Sequence, residues 1–208
     1  MSFEIQKAIF LENLLASEAV DSDGVHHEFN QGLHGRKIDF DKIPSDSDLF
    51  QLWVELVARS IEEFYPQPPD TLVGVASGSN RLVEPISERL RIHPTALKTE
   101  KKIRSQPMLT DVARRAIEIA RPQFVLVVED LGTRGTNALS VVRSVQAAGA
   151  QKVEVLNTLQ RSPELELLRV NNISYRSILT HLLTTYTADE CKSSGHCADG
   201  WRLIPYKI

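Results

Sequence analysis

Between Phe124 and Asn137 the chain reads Phe-Val-Leu-Val-Val-Glu-Asp-Leu-Gly-Thr-Arg-Gly-Thr-Asn, and no other stretch restricts its possible folds as strongly. Phe124–Val128 is a continuous β-branched and aromatic run, the pattern of a strand buried on both faces of a parallel sheet. Chemistry in such sheets gathers at the carboxyl ends of the strands. Two carboxylates, Glu129 and Asp130, emerge there. Leu131 and Gly132 follow, and then Thr133, Arg134, Gly135, Thr136 and Asn137 supply hydroxyls, a flexible glycine and clustered backbone N–H groups. Leu139, Val142, Val145 and Ala148 keep helical spacing until Gly149, so the loop opens a helix. At a helix N-terminus the free N–H groups and the dipole favour a phosphate. The pattern implies a sugar-phosphate site. It is not an ATP-binding loop, which ends in Gly-Lys-Ser/Thr, and no dinucleotide-type Gly-x-Gly-x-x-Gly occurs.

Around this segment, helical periodicity is read at Glu4–Ala16 and, more strongly, at Asp48–Phe64, where Leu49, Leu52, Trp53, Leu56, Val57 and Ile61 share a face. Pro66, Pro68 and Pro69 end that helix before a strand at Leu72–Ala76. A helix over about Arg81–Leu90, a short segment at His93–Leu97, a helix at Asp111–Ala120 and strands at Val153–Leu159 and Tyr175–Leu179 complete the β-α-β order of a doubly wound, mainly parallel α/β sheet. The 208 residues suit one domain, with 48–183 as its core and 1–47 and 184–208 as a small hood and tail. A net charge of -3 gives no global field for nucleic acid or an anionic membrane. No apolar run is long enough for a bilayer and no basic-then-apolar leader opens the chain, so a cytoplasmic protein is expected.

The 124–137 segment resembles the phosphoribosyl-pyrophosphate (PRPP) motif of type I phosphoribosyltransferases: an apolar strand, two acidic residues, two variable positions, then Thr-x-Gly-Thr. The resemblance implies that Glu129 and Asp130 contact the ribose hydroxyls and, directly or through water, Mg2+. It implies that the loop from Leu131 and Gly132 through Thr133–Asn137 takes the 5′-phosphate. At the end of the earlier strand, Ala76-Ser77-Gly78-Ser79 resembles the family's pyrophosphate loop, with Ser77 and Gly78 as binding residues and a non-proline cis peptide that turns N–H groups toward the diphosphate.

Within the family the likeness points to orotate phosphoribosyltransferases. Lys98-Thr99-Glu100-Lys101-Lys102-Ile103-Arg104 is similar to their mobile cationic loop, which closes over the neighbouring subunit's site. Taking Glu100 as the register mark, Lys98, Lys102 and Arg104 fall on cationic positions, Lys102 in a catalytic role. Thr99 stands where a Lys is usual, and Arg104 where a His is usual. Phe29 through Asp41 resembles the hood segment, with Gly32 and Ile38-Asp39-Phe40 aligned and Asn30 in place of a lysine. Arg161 ends the strand after the phosphate-loop helix as the family's base-binding arginine does, and its fork suits a carboxylate. Gln160 replaces the usual acid before it. Thr133 would also face the base.

The resemblance therefore implies Mg2+-dependent transfer of 5-phosphoribose from PRPP to orotate, giving orotidine 5′-phosphate and pyrophosphate in pyrimidine synthesis. It also implies a homodimer sharing the Lys98–Arg104 loop. A phosphoribosyltransferase for a purine or another base, and a non-catalytic PRPP-sensing regulator, are the alternatives. Cys191 and Cys197, with His181 and His196 nearby, raise zinc binding. The residues argue against it: the cysteine spacing falls outside the usual two-to-four pattern, and adjacent His196 and Cys197 are awkward ligands for one tetrahedral ion. Free thiols in a reducing compartment account for them.

Overall fold

Phe124, Leu126 and Val128 face one side of the central strand and Val125 and Val127 the other, and all five are fully buried. A strand of this kind needs a layer of helices on each face. The computed structural model, which describes residues 1–21, 24–29, 34–91, 94–101 and 106–205, supplies both. The elements run α1 (Phe3–Ala16), β1 (Val25–Glu28), β2 (His34–Gly35), α2 (Asp48–Phe64), β3 (Thr71–Gly74), α3 (Val83–Arg89), β4 (Thr95–Glu100), β5 (Met108–Leu109) and α4 (Asp111–Ala120). Then follow β6 (Phe124–Gly132), α5 (Thr136–Ala147), β7 (Lys152–Gln160), α6 (Glu166–Val170), β8 (Tyr175–Thr180), β9 (Thr185–Tyr186), α7 (Ala188–Ser194) and β10 (Arg202–Ile204).

The main sheet has the order β5-β4-β3-β6-β7-β8, parallel throughout except for the β4–β5 pair. On one face, α1, α2 and α3 pack Phe10, Leu14, Trp53, Leu56 and Ile86 against Phe124, Leu126, Val128 and Leu156. Ser47 starts α2 by accepting the Phe50 N–H at 3.2 Å, and Trp53 Nε1 donates to Thr158 Oγ1 at 2.9 Å, fixing the helix over β7. On the other face, Ile117, Val142, Val145 and Leu168 cover Val73, Val125, Val127 and Val155. Burying each such side chain stabilises the fold by roughly 1.5–3 kcal/mol.

The strand order jumps between β3 and β6. After β3 the chain steps outward to β4, and it returns on the far side of β3 as β6. This reversal opens a crevice at the carboxyl ends of the two strands. There β3 ends with Gly74 opposite Val128, while β6 stays paired with β7 as far as Gly132 opposite Gln160. The strand is therefore longer than its apolar run, and Glu129 and Asp130 lie within it because β7 continues to supply hydrogen-bond partners.

Four short strands form a second sheet, β10-β1-β2-β9, which joins the two ends of the chain. The Lys98–Glu100 stretch is corrected from mobile loop to strand. These three residues finish β4, with Lys98 in register with Gly74 of β3.

Candidate active site

The loop after β3 turns sharply. Its Ala76–Ser77 peptide bond is cis, as the resemblance implies, and Gly78–Arg81 forms a 3-10 turn. Thr99 holds the loop's base. Its Oγ1 donates to the Gly74 carbonyl at 2.8 Å and accepts the Ala76 N–H at 2.8 Å. Asn80 clasps the Thr99 backbone in turn, donating to its carbonyl at 2.7 Å and accepting its N–H at 3.0 Å. Thr99 is thus a buried tie and does not occupy a cation's place. Lys98 reaches Glu84 on α3 at 3.0 Å instead of turning into the crevice. Lys102 and Arg104 lie outside the described residues, as do Asn30 and Gly32.

The pyrophosphate-type loop meets the acidic pair directly. A Cβ added to Gly78 would fall 2.0 Å from Asp130 Oδ2. Ser77 Oγ donates to Asp41 Oδ2 in a short hydrogen bond. Asp41 sits on the turn Phe40–Lys42, which Arg81 pins by donating to the Phe40 carbonyl at 2.8 Å. Asp130 accepts the Leu131 N–H at 2.7 Å. Burial pushes its pKa up to about 6, against the Leu131 hydrogen bond, and the nearby carboxylates of Asp41 and Asp39 push in the same upward direction. Glu129 is raised well above the usual carboxylate range, first by burial and then by Asp130, with Lys101 and the Ala138 N–H pulling it down. Its Oε2 is buried with no hydrogen-bond partner among the described residues. Beside it in register lies Asn157, whose Oδ1 is likewise unpartnered.

Beyond the acids, Leu131, Gly132, Thr133, Arg134, Gly135, Thr136 and Asn137 line a cavity of about 400 Å3 with Glu129, Ala138, Arg161, Phe29 and Thr185. Gly135 adopts φ 81° at the cap of α5, a conformation that favours glycine. A Cβ there would also meet Leu168 Cγ at 2.8 Å. The loop is tied from outside the cavity: the Thr133 carbonyl accepts from Ser162 Oγ, the Arg134 carbonyl accepts the Leu167 N–H at 3.0 Å, and the Arg134 side chain pairs with Glu166 at 3.2 Å. The loop lines this space at the start of a twelve-residue helix.

Arg161 closes the far wall. It is 7% exposed, its guanidinium lies 4.9 Å over the Phe29 ring, and one terminal nitrogen donates to the Arg36 carbonyl at 3.3 Å. Burial lowers its pKa, and its Nε has no partner among the described residues. Gln160 orders the turn around it, donating to the carbonyls of Ser162 at 2.8 Å and Pro163 at 3.0 Å and accepting from Ser177 Oγ at 2.7 Å. No acid is needed to place the arginine.

The glycine loops, the acidic pair, Thr133 and Arg161 thus converge on one crevice, and Lys98 does not. Sequence reasoning missed Asp41, Lys101, Asn157 and Thr185 as neighbours of the site. Asp41 closes the quoted hood segment and Lys101 sits inside the quoted cationic run, but nothing in the residues shows that they reach the acids. The cysteine partners also differ from those adjacent in sequence. Cys191 and Cys197 meet His26 and His34, while His196 stacks on Trp201 at 4.2 Å and His181 follows β8, its N–H bonded to the Gln160 carbonyl.

No protein-family model matches the chain. Over 56 residues, 26% of the chain, it is 43% identical to an orotate phosphoribosyltransferase of Mycobacterium avium, of which this covers 31%; the chain thus spans about a third of the length of the mycobacterial relatives it matches. Over 152 residues, 72% of the chain and 73% of the relative, it is 24% identical to the orotate phosphoribosyltransferase of Caldanaerobacter subterraneus subsp. tengcongensis. Among solved structures, the Mycobacterium tuberculosis orotate phosphoribosyltransferase in complex with PRPP is similar with a TM-score of 0.57 at 22% identity, over 84% of this chain and 96% of that one. Sheet order, crevice and likeness agree, and the chain has the type I phosphoribosyltransferase fold.

Proposed function

We propose that this chain transfers 5-phosphoribose from PRPP to orotate, releasing pyrophosphate. The observation that carries the reading is a junction: Gly78 of the first loop rests on Asp130, on β6 just before the second loop, at the switch point of the sheet. In this reading the first loop takes the diphosphate, the acidic pair the ribose and the second loop the 5′-phosphate. The 5′-phosphate sits on the N–H groups that open α5. The carboxylates of Glu129 and Asp130 accept hydrogen bonds from the ribose 2′- and 3′-hydroxyls. As the bond from C1 to the diphosphate oxygen breaks, positive character develops on the ribose ring, and the same carboxylates stabilise it. The base nitrogen then forms the new bond at C1 and releases its proton, which the departing pyrophosphate can accept. Arg161, buried with donor capacity to spare, fits the carboxylate of orotate through two parallel hydrogen bonds. Holding both reactants at one crevice supplies much of the rate.

The donor set also fits Mg2+. Asp130 offers hard carboxylate oxygens near those of Asp41 and Asp39, both of which raise its proton affinity, and the buried Glu129 Oε2 has no partner among the described residues. When bound, the cation supplies charge neutralisation on the diphosphate. We assign Lys102 and Arg104 to the departing pyrophosphate and place the active unit as a cytoplasmic homodimer sharing that loop, on the family resemblance. Among the described residues no helix is long and apolar enough to cross a membrane.

The test incubates the protein with Mg2+ and PRPP and follows loss of orotate absorbance, with uracil, hypoxanthine, xanthine and adenine in parallel. Orotate-dependent pyrophosphate release is the expected result. Turnover of another base in its place would reassign the substrate. PRPP binding with no turnover of any base would overturn the enzyme and leave a PRPP sensor.

A further inference from the structure

The hood's four-stranded sheet has an unusual interior. Its strands are two to four residues long, too short to bury an apolar face of their own. Its most buried side chains are polar: His26 at 0% exposed on β1 and His34 at 4% on β2, with Cys191 of α7 at 0% against them. Cys197, three residues beyond that helix, completes the group. A sheet of this size without apolar filling needs another source of cohesion, and in small folds a metal is a common one.

The geometry points to zinc. We propose that His26, His34, Cys191 and Cys197 form a structural Cys2His2 zinc site that fastens the N-terminal hairpin to the C-terminal tail. Their four ligand atoms lie within 4.8 Å of one another. His26 Nε2 is 3.2 Å from Cys197 Sγ and 3.7 Å from Cys191 Sγ, and His34 Nδ1 is 3.5 Å from Cys197 Sγ. A tetrahedral zinc with Zn–S of about 2.3 Å and Zn–N of about 2.0–2.1 Å separates sulfur from nitrogen by about 3.6 Å, a value the three distances bracket. The set is four protein ligands, two imidazoles and two thiols, with no position left for water, which marks a structural site and not a catalytic one. Soft thiolates with imidazoles select zinc over Mg2+ or Ca2+. The Cys197 N–H donates to Cys191 Sγ at 3.2 Å, the kind of backbone bond that steadies a metal-bound thiolate.

The ligands are 165 and 171 residues apart in sequence for the pairs His26–Cys191 and His26–Cys197, which explains why no local spacing announces them. His196 is not one of the four converging residues; its ring stacks on Trp201 at 4.2 Å and 13°. It packs as the wall of the site, 5.6 Å from the His26 ring.

The site also has a place in the wider molecule. His34 lies two residues before Arg36, whose carbonyl holds Arg161, and Gly35 pairs with Thr185 on the cavity wall. The metal would therefore set the hood side of the base pocket.

The full chain, expressed with zinc in the medium and purified under reducing conditions without chelator, should carry about one zinc per chain by plasma mass spectrometry. Cobalt(II) exchanged into the metal-stripped protein should give the visible bands of a tetrahedral thiolate site, and chelation should lower the melting temperature by at least about 5 °C. Cys191→Ser and His26→Ala should each lose the metal and the cobalt bands, while His196→Ala and His181→Ala keep them. Titration of the wild-type chain with cobalt decides independently of whether the ligand variants fold. Wild-type protein with less than about 0.1 zinc per chain and no tetrahedral cobalt spectrum would overturn the site. Loss of metal in His181→Ala would overturn the ligand set. None of these readouts depends on phosphoribosyl transfer, so the site and the proposed activity can fail separately.

Discussion

Gly78 and Asp130 occupy each other's van der Waals space so closely that a methyl group on the glycine would lie 2.0 Å from the carboxylate oxygen. Asp130 cannot simply swing aside, because its other oxygen accepts the Leu131 N–H at 2.7 Å. Gly78→Ala should therefore displace the carboxylate without unfolding the core. The expected outcome is a rise of at least about tenfold in the KM for PRPP, equivalent to about 1.4 kcal/mol, with circular dichroism unchanged. A variant with wild-type KM would show that the contact is incidental to binding.

Asp130 gives the site a pH dependence whose sign is fixed. Its pKa is raised from 3.8 to about 6 in the fold, chiefly by burial. Between these values the folded chain holds more protons than the unfolded one, so this group's contribution to stability falls as pH rises through the window and is lost above about 6. In the proposed reaction the ionised form, above about 6, is the one that takes ribose or a cation. PRPP affinity in the presence of Mg2+ should weaken by up to about tenfold per pH unit below about 6. Asp130→Asn should bind weakly with a flatter profile. In thermal melts of the unliganded protein, the wild type should gain on Asp130→Asn as pH is lowered from about 7 to about 5. Parallel melting curves for the two proteins would remove Asp130 as the titrating group.

How much of this was legible follows from what each segment buries. Helix α2 matches its sequence bounds because a full apolar face and a Ser47 cap define it, and β6 begins where its apolar run begins. The end of β6 was not legible, since Glu129 to Gly132 are strand only because β7 runs alongside. The hood strands were invisible for the opposite reason. His26, His34 and Cys191 form their interior, and no alternation of apolar residues exists to betray them. The acidic pair and its loop could be read from residue order alone, whereas Asp41 reaches the site through tertiary contacts, its bond from Ser77 and the hold of Arg81 on Phe40.

Thr99 invites a test of the family pattern itself. A lysine is usual at this position, yet Thr99 is 4% exposed and its hydroxyl bridges Gly74 and Ala76. Thr99→Val keeps the shape and strands the Ala76 N–H, which should cost about 1–3 kcal/mol and lower the melting temperature by roughly 2–4 °C per kcal/mol. Thr99→Lys should be worse, forcing a charge into the space beneath the loop, and should reduce soluble yield without raising activity. A Thr99→Lys protein that is stable and faster than wild type would mean that β4 turns outward here in solution.

In the proposed reaction, base recognition rests on Arg161. Its guanidinium stacks on Phe29, gives one bond to the Arg36 carbonyl and keeps a buried Nε without a partner. It lines the same cavity as Glu129, but among the described residues its guanidinium bonds to the Arg36 carbonyl and not to the acidic pair. Arg161→Lys preserves charge but removes the planar fork, so the KM for orotate should rise roughly ten- to hundredfold, the value of one lost charge-assisted bond, while the KM for PRPP changes by less than about threefold. Arg161→Ala should do the same to orotate and also loosen the hood, because the Arg36 carbonyl and the Phe29 ring both lose their support. Steady-state kinetics with each substrate varied in turn separates the cases. A parallel rise in both constants would place Arg161 in the scaffold of the whole crevice, and an unchanged orotate KM would move the base to another wall.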